Sequence, residues 1–263
     1  MDWTLYWFMF PVSIFVSLSA MVTGIGGSAL YMPIYVIIFP LLGPEYPFET
    51  TAVAALVALI TMVFSFCSGT SLYAYRRMIN YKFASSFLWI AIPIAIIAAW
   101  LAPVFPEWVL ILFYAILVAY VAYSMLSIPV QTTQARPKPN VFLTGFGAFT
   151  TGTSAVGIGE VIMPQLISNG VDKKHLVGTS VFIVFCTVLA ASSVLAWRLS
   201  KTSNIQIPWN VIIYIVPGVL IGSQIGPRIQ SRFSRERLKR VIIILFVLIS
   251  ISMLFVAYRK AGF

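Results

Sequence analysis

Hydrophobic residues in this chain occur in long runs, and clusters of glycine, proline and charged residues separate one run from the next. Most runs hold about 17 to 25 residues, the length that a helix needs to cross a bilayer core of about 30 Å. Ten apolar segments can be marked, at residues 5–22, 28–42, 50–75, 83–102, 108–126, 141–156, 161–167, 176–197, 209–225 and 239–258. The second and seventh are short. The pattern predicts an all-α integral membrane protein.

The first five segments and the last five carry similar motifs in the same order. Three stretches match: 26–33 with 157–164, 50–53 with 179–182, and 93–103 with 217–227. Each half holds an odd number of segments, so the second half is predicted to be inverted relative to the first. Inverted repeats with broken helices are typical of secondary transporters. Whether segments one and two, or six and seven, cross the membrane or re-enter it stays open.

One polar stretch, residues 131–139, has the composition of a boundary between the halves. We therefore predict a first transmembrane repeat at residues 1–130, a cytoplasmic linker at 131–139 and a second transmembrane repeat at 140–263. Because neither half has a soluble part of its own, the two repeats are expected to form a single transport unit.

Arginine and lysine concentrate in alternate loops, at residues 76–82, 131–139, 172–175 and 226–240, whereas charges on the opposite side balance. Cytoplasmic loops of membrane proteins carry this excess of positive charge. The pattern predicts a multi-pass protein of the cell membrane with both termini outside the cytoplasm.

The composition excludes several other classes of protein. Hydrophobic residues make up 60% of the chain and charged residues 9%, against about 25% charged in soluble domains. The net charge of +10 is explained by the basic loops, so no nucleic-acid partner is expected. Cys67 and Cys186 lie in separate apolar runs. No catalytic motif, metal site or cofactor site is predicted.

Two glycine-rich breaks, at residues 24–27 and 157–159, interrupt apolar runs. Irregular backbone at membrane depth is tolerated where it is buried or lines a wet cavity. The residues after each break begin a new half-helix, whose free N–H groups and positive dipole end attract anions. The predicted binding set for a small anion is Thr23, Gly24, Gly26, Gly27, Ser28, Thr50, Thr51, Ser154, Gly157, Gly159, Thr179 and Ser180. The alternatives are close helix packing by the glycines and helix capping by the hydroxyls.

Glu160 is the one acidic residue at a break. A charge inside a membrane costs several kcal/mol, at least about 2.5 on insertion scales, so the residue is a candidate for proton coupling. The alternative is a carboxylate that caps the following helix. Small residues also recur at helical spacing, as Gly218, Gly222 and Gly226 and as Ala91, Ala95 and Ala99. They predict close helix packing, within one chain or between two copies in a homodimer.

Several of these motifs resemble the sulfite exporter TauE/SafE family. The resemblance rests on residues 24–28 with Pro33, on 157–160 with Pro164, and on 177–182, and it extends over nearly the whole chain. It implies a plasma-membrane permease for small sulfur-containing or organic anions, such as sulfite and sulfonates, with proton-coupled transport.

The sequence thus predicts a secondary transporter, not an enzyme, that exports a small anion by alternating access with protons as the coupling ion. One alternative is a passive anion channel of the same architecture. Another is a membrane enzyme or assembly subunit without transport, for which Glu160 and His175 are the only polar candidates.

Overall fold

The computed structural model describes residues 5–127, 139–201, 207–229 and 235–260, and these ranges form ten helices and one short 3₁₀ helix, Ala102–Val104, without strands. The helices are α1 Met9–Thr23, α2 Ser28–Leu42, α3 Thr51–Tyr75, α4 Tyr81–Leu101, α5 Glu107–Ser127, α6 Val141–Ser154, α7 Ile158–Ser168, α8 Lys173–Ser200, α9 Trp209–Ile229 and α10 Arg235–Lys260. Each one corresponds to a predicted segment, so the all-helical prediction is confirmed. Most of the predicted linker lies outside the described residues.

Four helices (α3, α4, α8 and α9) are long and apolar enough to cross a membrane. Helices α1, α2 and α7 are apolar but shorter, as is the stretch Glu107–Tyr120 of α5. Within α2, Pro33 precedes one π-helical turn, Ile34–Ile38. Helices α1, α2 and α7 flank the two breaks, so each break lies beside helices that are shorter than a full membrane span.

Asparagine and threonine side chains set the starts of several helices. Asn80 Oδ1 accepts the N–H of Phe83 at the start of α4, and Asn140 Oδ1 accepts the N–H of Leu143 at the start of α6. Thr50 caps α3 in the same way. These side chains take up backbone N–H groups that the first helical turn leaves without an intrahelical partner.

The two halves pack into each other through their small residues. Helix α1 packs most extensively against α9, and α6 packs against α4. Gly222 of α9 lies against the backbone of α1 at Ile14 and Leu18, while Gly152 of α6 lies against Ala95 and Ala99 of α4. The predicted glycine and alanine stripes therefore serve packing within one chain.

Helix directions across the halves can be read from individual contacts. Ser68 of α3 and Arg76, directly after α3, bond to Gln224 and Pro227 of α9 in the same order, so α3 and α9 run parallel. By contrast, Tyr73 near the end of α3 lies close to Gly178 near the start of α8, so these two helices run in opposite directions.

Helices α4 and α8 run parallel, because Tyr81 packs on Phe182 and Trp100 packs on Arg198. In the repeat predicted from the sequence, α3 corresponds to α8 and α4 to α9. The opposed directions of these counterparts are those that an inverted repeat predicts. The inversion and the division into domains remain predictions, and the helix directions support them.

We expect Gly222→Ala to destabilise the protein by about 1–3 kcal/mol, the usual cost of overpacking. The added Cβ would lie 2.9 Å from Leu18 N and closer still to the Ile14 carbonyl oxygen. Gly145→Ala is the matched control, because there the Cβ meets only the flexible end of Ile94 at 3.0 Å. Thermal unfolding in detergent measures both variants, and equal unfolding temperatures would contradict the packing argument.

Candidate functional site

Both helix breaks depend on left-handed backbone. At the first, Gly24 adopts φ 71° and its N–H donates to the Ala20 carbonyl at 2.8 Å, which ends α1. At the second, Ala155 and Gly157 have φ values of 65° and 143°. Glycine adopts such angles at little cost, whereas alanine does so rarely. The strained position at Ala155 was not foreseen from the sequence.

The two breaks lie in direct contact. A Cβ placed on Gly159 would stand 2.6 Å from Gly26 N, and a Cβ placed on Gly26 would stand 3.1 Å from Glu160 Oε1. At Gly159 a Cβ would clash with backbone, so the meeting of the breaks requires glycine there, whereas at Gly26 a Cβ would be a tight contact with side-chain atoms only. The structure thus brings the starts of α2 and α7 together.

Glu160 lies at this contact and is 1% exposed. Its Oε2 accepts the N–H of Gly157 at 3.0 Å, so the carboxyl group does cap α7. Its Oε1 lies beside Gly26, whose N–H interacts favourably with the carboxylate, but it has no hydrogen bond of good geometry within the described ranges. Capping therefore accounts for one carboxylate oxygen and leaves the other available to a ligand or a proton.

Several hydroxyl groups of the predicted anion-binding set form hydrogen bonds to the backbone of the protein. Ser180 Oγ donates to the Gly24 carbonyl at 2.6 Å, and Thr179 Oγ1 accepts the N–H of Asn80 at 2.9 Å. Ser154 Oγ donates to the Leu110 carbonyl at 3.0 Å.

Two further threonines of the predicted binding set form hydrogen bonds with residues that lie close to them in the sequence. Thr23 Oγ1 donates to the Ser19 carbonyl at 2.9 Å and accepts the N–H of Ile25 at 3.2 Å. Thr50 Oγ1 accepts the N–H of Val53 at 3.2 Å. These five hydroxyls have structural partners, and their placement gives no further support to a role in ligand binding.

Five buried hydroxyl oxygens have no hydrogen-bond partner in the part of the chain that the structure describes, those of Ser28, Tyr31, Tyr35, Thr51 and Thr70. Ser28 lies at the contact of the breaks, since its Oγ and Glu160 Oε1 both approach the Cβ position of Gly26 within 3.3 Å. Tyr31 and Tyr35 were missed by sequence reasoning. Their signal was a pair of phenol groups one helical turn apart in a short apolar segment.

The ends of the two half-helices differ in how their N–H groups are used. At α7, Gly157 N–H donates to Glu160 and Ile158 N–H donates to Thr151 Oγ1 at 2.7 Å. At α2, no side chain caps the first turn. The N–H groups of Ala29 and Leu30 donate to the carbonyls of Gly26 and Gly27, so an anion at the start of α2 would meet the N–H groups of Gly27 and Ser28.

The cationic side chains for which contacts are described lie at helix ends. Arg76 donates to the Pro227 carbonyl at 3.0 Å, and Arg198 lies over the Trp100 ring at 5.1 Å. Among the described residues, no group of His, Cys, Asp or Glu could hold a metal ion. The site at the breaks consists of backbone dipoles, hydroxyls and one carboxyl group.

These features define a multi-pass membrane protein whose two broken helices enclose a buried polar site. The family model for the sulfite exporter TauE/SafE matches residues 9–253, nearly the whole chain, so the protein belongs to this family of membrane transporters. The family assignment agrees with a transport function and not with an enzymatic one. Searches of curated proteins and of solved structures found no match.

Ser180→Ala and Ser28→Ala are a matched pair of variants with opposite expectations. Ser180→Ala removes the donor to a buried carbonyl at the first break, which costs about 1–3 kcal/mol. Ser28→Ala removes a buried hydroxyl that has no partner, so we expect no loss of stability. Thermal unfolding in detergent measures both. A larger loss for Ser28→Ala than for Ser180→Ala would contradict the assignment of hydrogen bonds at the breaks.

Proposed function

We propose that the protein is a secondary transporter that exports a small anion, sulfite or a sulfonate in the first instance, by alternating access with proton coupling. The observation that carries the proposal is the contact of the two breaks, where Glu160 Oε1 and the Ser28 hydroxyl are buried and neither has a hydrogen bond of good geometry within the described residues. Family membership supplies the substrate class, and the site supplies the chemistry that such a substrate needs.

Neutral donors would hold the anion in this site. The uncapped start of α2 offers backbone N–H groups and the positive end of a helix dipole, and Ser28 adds a hydroxyl donor. Small oxyanions carry many acceptor lone pairs in a small volume, and this kind of site suits them. The absence of a fixed cation in the binding set leaves the anion free to depart, as transport requires.

Glu160 would link anion binding to a proton. Ionised, its carboxylate would repel an anion at the start of α2, and the buried charge on Oε1 would have only the Gly26 N–H beside it, with no hydrogen bond of good geometry. Protonated, the carboxyl group is neutral, and its O–H becomes one more donor. Proton and anion therefore favour each other's binding, and by linkage the effect is reciprocal.

Because the proton and the anion favour each other's binding, we expect them to cross the membrane in the same direction. A divalent anion with one proton would still carry one negative charge across the membrane. Moving one charge through a potential of 100 mV is worth about 2.3 kcal/mol. A potential that is negative inside would therefore drive such a complex outward, which is consistent with export.

Flux in proteoliposomes tests the coupling through Glu160→Gln. The amide oxygen of glutamine can still accept the Gly157 N–H, so the cap of α7 is kept while the titratable group is lost. We expect wild-type protein to move labelled sulfite or a sulfonate at a rate that follows an imposed pH gradient. The variant should lose that dependence.

Asp172→Asn is the control, because Asp172 directly precedes α8 and its exposed carboxylate lies 3.6 Å from His175, outside the predicted binding set. It should keep the pH dependence. If Glu160→Gln transports the anion with unchanged pH dependence, Glu160 acts only as a cap. If the wild-type protein moves none of the small anions offered, the proposed function is wrong.

A further inference from the structure

One face of α2 carries three hydroxyls that have no partner. Ser28, Tyr31 and Tyr35 follow the spacing i, i+3, i+7, which places them along a single face of a helix. Their side chains are 0%, 2% and 2% exposed, and no hydrogen bond is described for any of the three hydroxyls. We call this set the hydroxyl stripe.

Other equally buried phenols in the chain do have partners. Tyr73 donates to the Met21 carbonyl at 2.6 Å, and Tyr114 donates to the Ala29 carbonyl at 2.9 Å. Buried polar groups are usually satisfied in this way, because an unmade hydrogen bond is costly. The stripe departs from this pattern at three positions on one helix face, so its hydroxyls are free to donate hydrogen bonds to a ligand.

The stripe begins at the breaks and runs toward the far end of α2. Its rings are ordered: Tyr31 and Tyr35 stack with centroids 5.7 Å apart and an interplanar angle of 15°. Tyr35 lies in the π-helical turn Ile34–Ile38, and such turns occur frequently at functional sites. From Ser28 to Tyr35 the helix rises by about 10 Å, more than one small anion spans.

A further unpartnered hydroxyl lies near the outer end of the stripe. Phe48 packs edge-on against Tyr35 with centroids 5.1 Å apart, which brings the start of α3 beside this part of α2. Thr51, the first residue of α3, has a buried hydroxyl without a partner.

We propose that the hydroxyl stripe lines the path along which the anion passes between the breaks and the side of the membrane where α2 ends. Tyr31 and Tyr35 donate in turn to the anion after it leaves the N–H groups at the start of α2. This inference rests on the proposed function and adds specificity-determining residues to it. The loop charges predict that α2 ends on the extracytoplasmic side.

The second half of the chain lacks such a stripe. In the alignment of the predicted repeats, Tyr31 and Tyr35 correspond to Ile162 and Leu166, which are buried and apolar. If a broken helix needed these phenol groups only for its structure, the same need would apply in both halves. The asymmetry therefore points to passage along α2 that has no equivalent along α7.

Transport by Tyr31→Phe and Tyr35→Phe tests the proposal. Each change removes only a hydroxyl that has no partner, so the unfolding temperature in detergent should not fall. Sulfite flux in proteoliposomes should nevertheless drop, with kcat/KM lower by about tenfold or more for each variant, since a hydrogen bond to a charged group is lost. Tyr120→Phe, on the exposed side of α5, is the matched control and should equal wild type.

Tyr114→Phe is the comparison for stability. It removes the hydrogen bond from Tyr114 to the Ala29 carbonyl, so it should lower the unfolding temperature, which the stripe variants should not. If wild-type flux is present and both stripe variants transport sulfite normally, the stripe is not the path, while the proposed function stands. If both variants lose flux only in proportion to a lower unfolding temperature, their role is structural and the proposal is overturned. If the wild type moves no anion, the function and the path fail together.

Discussion

Backbone that leaves the helix inside a membrane must find its hydrogen bonds within the protein, because lipid offers none. This constraint governs both breaks. The Gly24 carbonyl at the first break accepts from Ser180 of α8, in the other half of the chain. At the second break, Ile158 N–H donates to Thr151 and Gly157 N–H donates to Glu160. The first break therefore draws one of its hydrogen bonds from the opposite half, whereas these two N–H groups of the second break are bonded within their own half.

The packing of the helices brings these breaks together. Glycine in α9 lets α1 approach closely, and glycine in α6 meets the alanines of α4. Each half thus supplies a helix, α4 or α9, that packs against the broken helix pair of the other half. The breaks meet at Gly26 and Gly159, where a side chain on Gly159 would clash with the Gly26 backbone and force the breaks apart. Close packing and irregular backbone together create a buried polar site in an otherwise apolar protein.

Much of this fold could be predicted from the sequence. Apolar runs predicted the helices because membrane helices must be apolar over their whole length, and the glycine clusters marked both breaks. The left-handed angle at Ala155 could not be foreseen, because alanine carries no local signal for it.

The roles of individual hydroxyls were also beyond local reasoning. Ser28 follows the first break directly and Ser180 lies in the first turns of α8, yet Ser180 donates to the Gly24 carbonyl of that break and the Ser28 hydroxyl has no partner. Only tertiary contacts decide which hydroxyls are used for structure and which remain for a ligand. Tyr31 and Tyr35 escaped notice for the same reason, since a phenol in an apolar run also fits ordinary membrane packing.

The central claim is that a small anion binds between the two breaks. The most direct measurement is X-ray diffraction from crystals soaked in selenite, a heavier analogue of sulfite, recorded at the selenium absorption edge. Our account predicts an anomalous peak at the start of α2, where the selenite oxygens reach the Ser28 hydroxyl and the Glu160 carboxyl group. A peak found only among the basic loops, with none between the breaks, would contradict it.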